Sequence, residues 1–228
     1  MSQMALPLQL QDHAVFASFQ QDGNESLVAF LMDMADTSGA AGGWLWGPPA
    51  TGKTHLLQAC CARKGSSAVY LPLRQFREAG SGILEGMAAQ SLICLDDVEA
   101  VAGDAAWESA LFALYNQVLE DRGTILVAAG APVRECGFRL PDLESRLSQL
   151  PAFRVEPLDE EGRLKALQLR AGHRGLTLPP ETARYLLTRS RRDMASLYQL
   201  LDRLDLLALE AQRKLTIPFV RSVINDES

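Results

Sequence analysis

The chain has 228 residues, of which 47% are apolar and 22% charged, and its formal net charge at pH 7 is −6. This composition is typical of a folded protein with one large domain or two modest ones. The acidic total argues against a protein that wraps nucleic acid with a generally basic surface. No apolar run approaches the roughly 20 residues of a membrane-spanning helix.

The N-terminus and the cysteines indicate in which cellular compartment the protein is found. The first residues lack both the basic segment and the long apolar run of a secretion signal. The four cysteines form neither a CxxC pair nor a zinc-ligand pattern. Cys60, Cys61 and Cys94 lie in apolar runs, so we expect buried free thiols. Together these features favour the reducing cytoplasm.

Five short apolar runs predict buried strands. They are Gly42–Trp46, Ser67–Leu73, Ser91–Asp97, Thr124–Ala129 and Phe153–Leu158. Helical patterns lie between them, including His55–Arg63 and Trp107–Asp121. Continuous apolar strands that alternate with helices predict an α/β fold, with a parallel sheet covered on both faces.

Beyond Leu158 the strand pattern stops and only helices are predicted. Asp159 is a good N-cap for a helix at Asp159–Gly172, and Glu181–Arg189 follows Pro179 and Pro180. A long helix from about Asp193 to Arg213 and a short last helix opened by Thr216 and Pro218 complete this part. The predicted domains are therefore an α/β domain at 11–158 and a small all-helical domain at 159–228, after a flexible tail at 1–10.

The loop between the first strand and the next helix matches the phosphate-binding pattern GxxxxGK followed by Ser or Thr. Its residues are Gly47, Pro48, Pro49, Ala50, Thr51, Gly52, Lys53 and Thr54, and His55 follows directly. Backbone N–H groups of such a loop cradle phosphates, the lysine binds the β- and γ-phosphates, and the threonine is a ligand of Mg²⁺. The strand before and the helix after disfavour a chance glycine-rich loop. The loop predicts that ADP or ATP binds here with Mg²⁺.

Two adjacent acids, Asp96 and Asp97, end the third predicted strand. Asp96 is the candidate Mg²⁺ ligand beside Thr54, and Asp97 is the candidate for orienting water near the γ-phosphate. The alternative is that the pair caps a helix. Val15, Phe16 and Phe19, before the first strand, are candidates either for contacts to the base or for core packing.

The phosphate loop, the acid pair and the helical C-terminal part together resemble the DnaA-related AAA+ family, and within it the Hda inactivators of DnaA. The resemblance is carried by QMALPLQL, VFASFQQDGNESLVAFL, LPDLESRL and AQRKLTIPFV, and it covers nearly the whole chain. It implies a five-stranded parallel sheet in the order 5-1-4-3-2, a helical lid, and a nucleotide site at the carboxyl ends of the strands. It also implies that the helix-turn-helix DNA-binding domain of a DnaA initiator is missing after Ser228.

The resemblance implies a partner for the N-terminal tail. Gln3, Leu6, Pro7 and Leu8 resemble the segment with which Hda proteins bind the DNA polymerase sliding clamp, its β subunit. A glutamine amide and apolar anchors, with a proline that lowers the ordering cost, suit a preformed pocket. Without the resemblance, the segment is an unremarkable apolar tail.

The resemblance also implies that Arg146 is an arginine finger. Such a guanidinium reaches a γ-phosphate held by a neighbouring protein and stabilises the charge that develops on transfer. From the residue alone, a surface salt bridge to Glu144 or Asp142 is the simpler interpretation.

Two positions depart from the family pattern. Residues 128–130, Ala-Ala-Gly, replace the polar sensor that positions the attacking water, and Ala195 stands where the lid of the family carries an arginine. Arg191 and Arg192 are the alternative candidates for reaching the nucleotide from the lid. We therefore expect weak or no intrinsic ATPase, with ADP bound as a structural ligand.

These features predict a regulator that, on the DNA-loaded clamp, stimulates hydrolysis of the ATP bound to DnaA and thereby inactivates the initiator. The alternative is a self-sufficient AAA+ ATPase that acts as a remodeller or loader in replication. Self-association through the Arg146 face is a further expectation. The basic residues around 189–192, at 203 and at 213–214 are expected to form a solvated face without sequence-specific DNA binding.

Overall fold

The computed structural model describes residues 14–37, 39–189, 194–211 and 214–225. The described chain divides into two compact units. An α/β unit contains residues 14–16 and Asn24–Glu156, and a helical unit contains Ala17–Gly23 and the residues from Pro157 onward. The predicted clamp-binding residues, at positions 3 and 6–8, lie outside the described residues. None of the helices in the described ranges combines the length and the apolar character that a membrane crossing needs.

The α/β unit is built on a five-stranded parallel sheet. Its strands are β1 (Ala41–Trp46), β2 (Ala68–Pro72), β3 (Leu92–Asp96), β4 (Thr124–Ala129) and β5 (Ala152–Arg154). They lie in the order β2-β3-β4-β1-β5, which confirms the predicted order 5-1-4-3-2. Because the strands are parallel, the loops after β1, β3 and β4 leave the sheet at the same edge.

Among the described residues of this unit, five α-helices accompany the sheet. They are α1 (Glu25–Asp36), α2 (Lys53–Lys64), α3 (Leu73–Phe76), α4 (Ala105–Glu120) and α5 (Pro141–Leu147). Helix α4 begins two residues earlier than predicted because the Asp104 side chain accepts hydrogen bonds from the Ala106 and Trp107 amides. Helix α1 was not predicted, although its buried residues Leu27, Val28, Leu31 and Ala35 have helical spacing.

The fifth strand is shorter than predicted, and the prediction of a strand to Leu158 was wrong. The Val155 amide still donates to the Trp46 carbonyl at 2.7 Å. The backbone of Glu156 bonds to the Asn24 side chain instead of to β1. The Asn24 Oδ1 accepts from the Glu156 amide at 2.8 Å, and the Asn24 side-chain NH₂ donates to the Glu156 carbonyl at 3.1 Å. Pro157 has no N–H group with which to continue a ladder.

The core of the α/β unit lies on both faces of the sheet, as continuous apolar strands predict. The most deeply buried strand residues include Trp44, Leu45, Leu95 and Val127, each of which is at most 2% exposed. Cys60, Cys61 and Cys94 are free and buried, which confirms the prediction of buried free thiols.

The helical unit contains α6 (Glu160–His173), α7 (Pro180–Arg189), α8 (Met194–Ala211) and α9 (Ile217–Asn225). Asp159 is the N-cap of α6, as predicted, and its carboxylate accepts from the Gly162 amide at 2.7 Å. The four helices share an apolar core, whose central members are Leu167, Leu186, Leu201, Leu204 and Val220. Arg170 is buried beside this core, where its guanidinium lies 4.4 Å from the Tyr198 ring centre and 3.5 Å from the Asp202 carboxylate.

Candidate nucleotide-binding site

The phosphate loop joins the carboxyl end of β1 to the first residue of α2, and its backbone requires glycine at two positions. Gly47 has a φ of +153°, and a Cβ atom there would lie 2.8 Å from the Val155 carbonyl oxygen. Gly52, the N-cap of α2, has a φ of +98°, which glycine adopts far more readily than other residues. Ala50 also has a positive φ, +61°, so this loop contains a strained non-glycine residue.

Replacement of Gly47 by alanine should therefore destabilise the α/β unit. We expect the free energy of unfolding of the G47A variant to fall by about 1–3 kcal/mol, because the new Cβ meets a backbone oxygen and the φ is unfavourable. Urea denaturation followed by tryptophan fluorescence measures this change. Gly82→Ala is the matched control, since nothing lies within 4 Å of a Cβ at Gly82. Equal loss of stability in both variants would contradict the close approach at Gly47.

Side chains close the loop around a positive charge. The Lys53 Nζ donates to the carbonyl oxygens of Gly47 at 2.7 Å and Pro48 at 2.8 Å. The Thr51 hydroxyl donates to the same Pro48 oxygen at 3.0 Å. Burial lowers the pKa of Lys53, and the nearby carboxylates, Asp96 foremost, oppose that effect. The loop therefore places a half-buried ammonium group where phosphates bind in loops of this pattern.

The acid at the end of β3 contacts the threonine at the start of α2. The Thr54 hydroxyl donates to Asp96 Oδ2 at 2.6 Å, although 42 residues separate the two in sequence. The Tyr70 hydroxyl donates to the same oxygen at 2.9 Å, and the Asp97 amide donates to Asp96 Oδ1 at 3.0 Å. Burial raises the pKa of Asp96, and the hydrogen bonds from Thr54 and Tyr70 partly offset this. Tyr70 thus belongs to the site, and no sequence motif identified it.

These oxygen atoms fit a magnesium ion that a nucleotide brings with it. Mg²⁺ prefers hard oxygen ligands and is usually held by one or two protein groups together with phosphates and water. Thr54 and Asp96 supply one hydroxyl and one carboxylate in direct contact. In the described ranges, no group of three or more His, Cys, Asp or Glu side chains is arranged to hold a metal by itself. The site therefore suits a metal that is shared with phosphate oxygens.

The second acid of the pair has a different partner. Asp97 lies beyond the end of β3, with a φ of +53°, so its prediction as a strand residue was wrong. Arg74, on α3, donates to Asp97 Oδ2 at 3.0 Å and to Glu99 Oε1 at 3.3 Å. The hydrogen bond to Asp97 raises the pKa of Arg74. The carboxylate predicted to handle water is therefore engaged by a cation of its own chain.

The end of β4 supplies no polar side chain. Ala128 and Ala129 are fully buried in the sheet, opposite Leu45 and Trp46. The polar group nearest to the following glycine belongs to Glu99, whose Oε1 would lie 3.5 Å from a Cβ at Gly130. The side chain of Ala195, the other departure from the family pattern, lies outside the described residues.

His55, which follows the phosphate loop, lies close to Val15, a candidate for contacts to the base. His55 Nε2 is 2.9 Å from the Val15 carbonyl oxygen, to which it donates in the tautomer protonated at that nitrogen. Phe16 is buried. The His55 ring therefore links the start of α2 to the segment before α1, and the structure gives it a structural role.

Arg146 lies on α5, on the chain that follows β4. The helix packs through Leu143 and Leu147, which are 1% and 4% exposed, and Arg146 is exposed. The alternative salt bridge to Glu144 or Asp142 does not form: the ion pairs among the described residues do not include Arg146. Burial raises the pKa of Tyr115 on α4, and the nearby Arg146 charge partly offsets this. Arg146 therefore presents a guanidinium at the protein surface.

Comparison with protein families matches residues 159–224 to the model described as "Hda, lid domain". This segment comprises most of the helical unit, from the N-cap of α6 to the last turn of α9.

Solved structures resemble the whole described fold. Domain III of the replication initiation protein DnaA from Thermotoga maritima superposes with a TM-score of 0.79 at 18% identity, over 96% of this chain and 98% of that one. AMPPCP-bound DnaA from Aquifex aeolicus gives a TM-score of 0.60 at 22% identity, over 80% of this chain and 62% of that one. The RuvB Holliday junction branch migration motor of Thermotoga maritima gives 0.63 at 14% identity, over 90% and 68%. At these identities the likeness establishes the fold, which is the AAA+ fold of DnaA domain III.

Proposed function

We propose that this chain, an AAA+ protein related to Hda and DnaA, is a nucleotide-dependent regulator of DNA replication initiation in the bacterial cytoplasm. On the DNA-loaded sliding clamp, it stimulates hydrolysis of the ATP bound to DnaA and so inactivates the initiator. The main observation behind the proposal is a pair of features in the α/β unit. The phosphate loop is complete and its Thr54 contacts Asp96, and the exposed Arg146 after β4 forms no ion pair with any described residue.

The chain's own nucleotide, ADP or ATP, binds at residues 47–54. Lys53, whose ammonium lies inside the loop, would bind phosphate oxygens of the nucleotide. Thr54 and Asp96 would hold Mg²⁺, which would neutralise part of the phosphate charge. Tyr70 orients the Asp96 carboxylate through its hydroxyl. The bound AMPPCP of a structurally similar DnaA supports a nucleotide at this site.

Three features favour weak intrinsic hydrolysis and disfavour a self-sufficient ATPase. The end of β4 offers only alanine and glycine, which cannot hold a water molecule through a side chain. Asp97 already accepts a hydrogen bond from Arg74, so that oxygen is engaged. Ala195 replaces the arginine that the family lid uses for its own nucleotide. The bound nucleotide then acts mainly as a structural ligand.

Arg146 acts on the ATP of a partner. Its exposed guanidinium has no competing carboxylate among the described residues, so it can enter a site on DnaA without first breaking an ion pair. There it stabilises charge on the γ-phosphate in the transition state. The same face also permits self-association, in which Arg146 of one copy would meet the nucleotide of another and be masked from DnaA.

The N-terminal tail binds the clamp. Deletion of residues 1–10 should weaken binding to the purified sliding clamp at least tenfold, because the loss of a few buried anchors typically costs more than 1 kcal/mol each. The double variant L6A/L8A should behave in the same way. Surface plasmon resonance measures the binding, and Gln11→Ala, outside the motif, is the control. If the deletion variant bound the clamp with unchanged affinity, the proposed role of the tail would be wrong, and the proposal for the nucleotide site would not be affected.

The proposed function is tested with ATP-loaded DnaA, the loaded clamp and this chain. The rate of ATP hydrolysis on DnaA should rise with the concentration of this chain, and the rise should require the clamp. The nucleotide released from the purified chain by denaturation should be ADP, because the proposed role of the bound nucleotide is structural and does not need a γ-phosphate. Rapid turnover of ATP by the chain in the absence of DnaA would contradict the proposal.

A further inference from the structure

Glu108, on the first turn of α4, is a buried carboxylate with no role in the nucleotide site. It is 1% exposed. Its partners are three backbone amides of two other segments, those of Gly103, Arg139 and Leu140. An isolated charge is costly to bury, so such a carboxylate is maintained only where hydrogen bonds satisfy it.

The hydrogen bonds use both oxygens of the carboxylate, and one bond to each oxygen is short. Oε1 accepts from the Gly103 amide at 2.6 Å and from the Arg139 amide at 3.0 Å. Oε2 accepts from the Arg139 amide at 3.0 Å and from the Leu140 amide at 2.6 Å. Hydrogen bonds to an ionised acceptor are stronger than neutral ones. Glu108 therefore fixes the backbone of residues 139–140 relative to α4.

These two residues lead directly into the helix that carries Arg146. Leu140 is the N-cap of α5 and its side chain cannot cap, while Pro141 at the first position has no N–H group. Glu108 holds the N-cap residue and the residue before it through their backbone amides, from outside the helix. Leu143 and Leu147 fix the buried face of α5, and Glu108 fixes its beginning.

We propose that Glu108 is a positioning residue for the arginine finger: through the Arg139 and Leu140 amides it sets the direction and rotation of α5, and so the place that the Arg146 guanidinium reaches. The inference rests on the proposed function of Arg146. Arg146 lies six residues beyond Leu140, about 9 Å along the helix axis, so a small change in direction at the N-cap displaces the guanidinium appreciably. An arginine finger acts through the position of its guanidinium, and a displacement of that group by about 1 Å can lower the rate up to 10²-fold.

The test compares Glu108→Gln with Glu120→Gln, the same change at an exposed position of the same helix. The amide of glutamine has one acceptor oxygen, and its NH₂ group would face a backbone N–H. The rate of ATP hydrolysis on DnaA is measured with the loaded clamp, as a function of the concentration of this chain. For E108Q we expect a plateau rate about tenfold lower, with a half-maximal concentration changed by less than about twofold. E120Q should match the unchanged chain.

This pattern separates positioning from loss of folded protein. A variant that only unfolded in part would reach the normal plateau at a higher concentration, because the folded fraction remains fully active. That result would overturn the positioning role, and so would a normal plateau at a normal concentration. Hydrogen exchange gives a second readout: the amides of Arg139, Leu140 and α5 should exchange faster in E108Q, while those of α2 stay unchanged. Failure of the proposed function would appear differently, as no stimulation by the unchanged chain, and would remove the reaction that Glu108 serves.

Discussion

The R146A variant should lose almost all stimulation of ATP hydrolysis on DnaA, by roughly 10³-fold or more, the size of effect known for arginine fingers. Arg146 is exposed, and its contacts within the described structure are too few for the change to unfold α5, which packs through Leu143 and Leu147. The variant should therefore keep its thermal stability, its ADP and its binding to the clamp. The measurement is the rate of phosphate release from ATP-loaded DnaA at saturating clamp.

Two further variants show whether the effect is specific. Arg134→Ala removes an exposed arginine from the turn that precedes α5, and it should change the rate by less than about twofold, since isolated surface charges contribute little. Arg146→Lys keeps the charge but loses the planar fork, so most of the stimulation should still be lost. A normal rate with R146A would show that another group completes the site on DnaA, and the proposed mechanism would then be wrong.

The K53M variant should lose nucleotide binding, with an affinity for ADP at least about 10²-fold weaker, because two charge-assisted contacts contribute roughly 1.5–3 kcal/mol each. The Nζ atom already lies inside the loop, 2.7 and 2.8 Å from two loop carbonyls. Isothermal titration with ADP and Mg²⁺ measures the affinity. Removal of the half-buried ammonium should leave the fold intact, because methionine fills a similar volume.

Thermal unfolding with added ADP gives an independent check. A ligand at 100 times its Kd stabilises the folded state by about 2.7 kcal/mol. The unchanged chain should show this shift, and K53M should show little of it. Lys64→Met, at the opposite end of α2, is the control and should bind ADP normally. ADP affinity of K53M equal to that of the control would place the nucleotide elsewhere.

Local patterns made much of this site predictable. Residues 47–54 are contiguous, so one stretch of sequence specifies the turn, the ammonium and the hydroxyl together. The proximity of Asp96 to Thr54 followed from parallel strands, whose carboxyl ends meet at one edge. The finger role of Arg146 was expected only through the family resemblance, since a lone arginine carries little information.

Contacts made at a distance were not predictable. Asn24 ends β5 from 132 residues away, and Arg74 binds Asp97 from 23 residues away in sequence. Tyr70 reaches Asp96 only because β2 and β3 are neighbours in the sheet. Asn24 lies in a segment that carries the family resemblance and Tyr70 lies in a predicted strand, but neither stretch specifies these partners. The partners of these side chains depend on how the fold places distant segments of the backbone next to each other.

The sequence alone therefore determined the class of fold, the strand-loop-helix unit for phosphate, and the residues that meet at the edge of the sheet, because periodicity, glycine placement and motif spacing are local properties of a chain. Only the tertiary structure decided that Asp97 is bound to Arg74, that Arg146 is free of its acidic neighbours, and that Glu108 secures the start of α5. Each of these depends on the direction of individual side chains in space, which packing between distant segments sets.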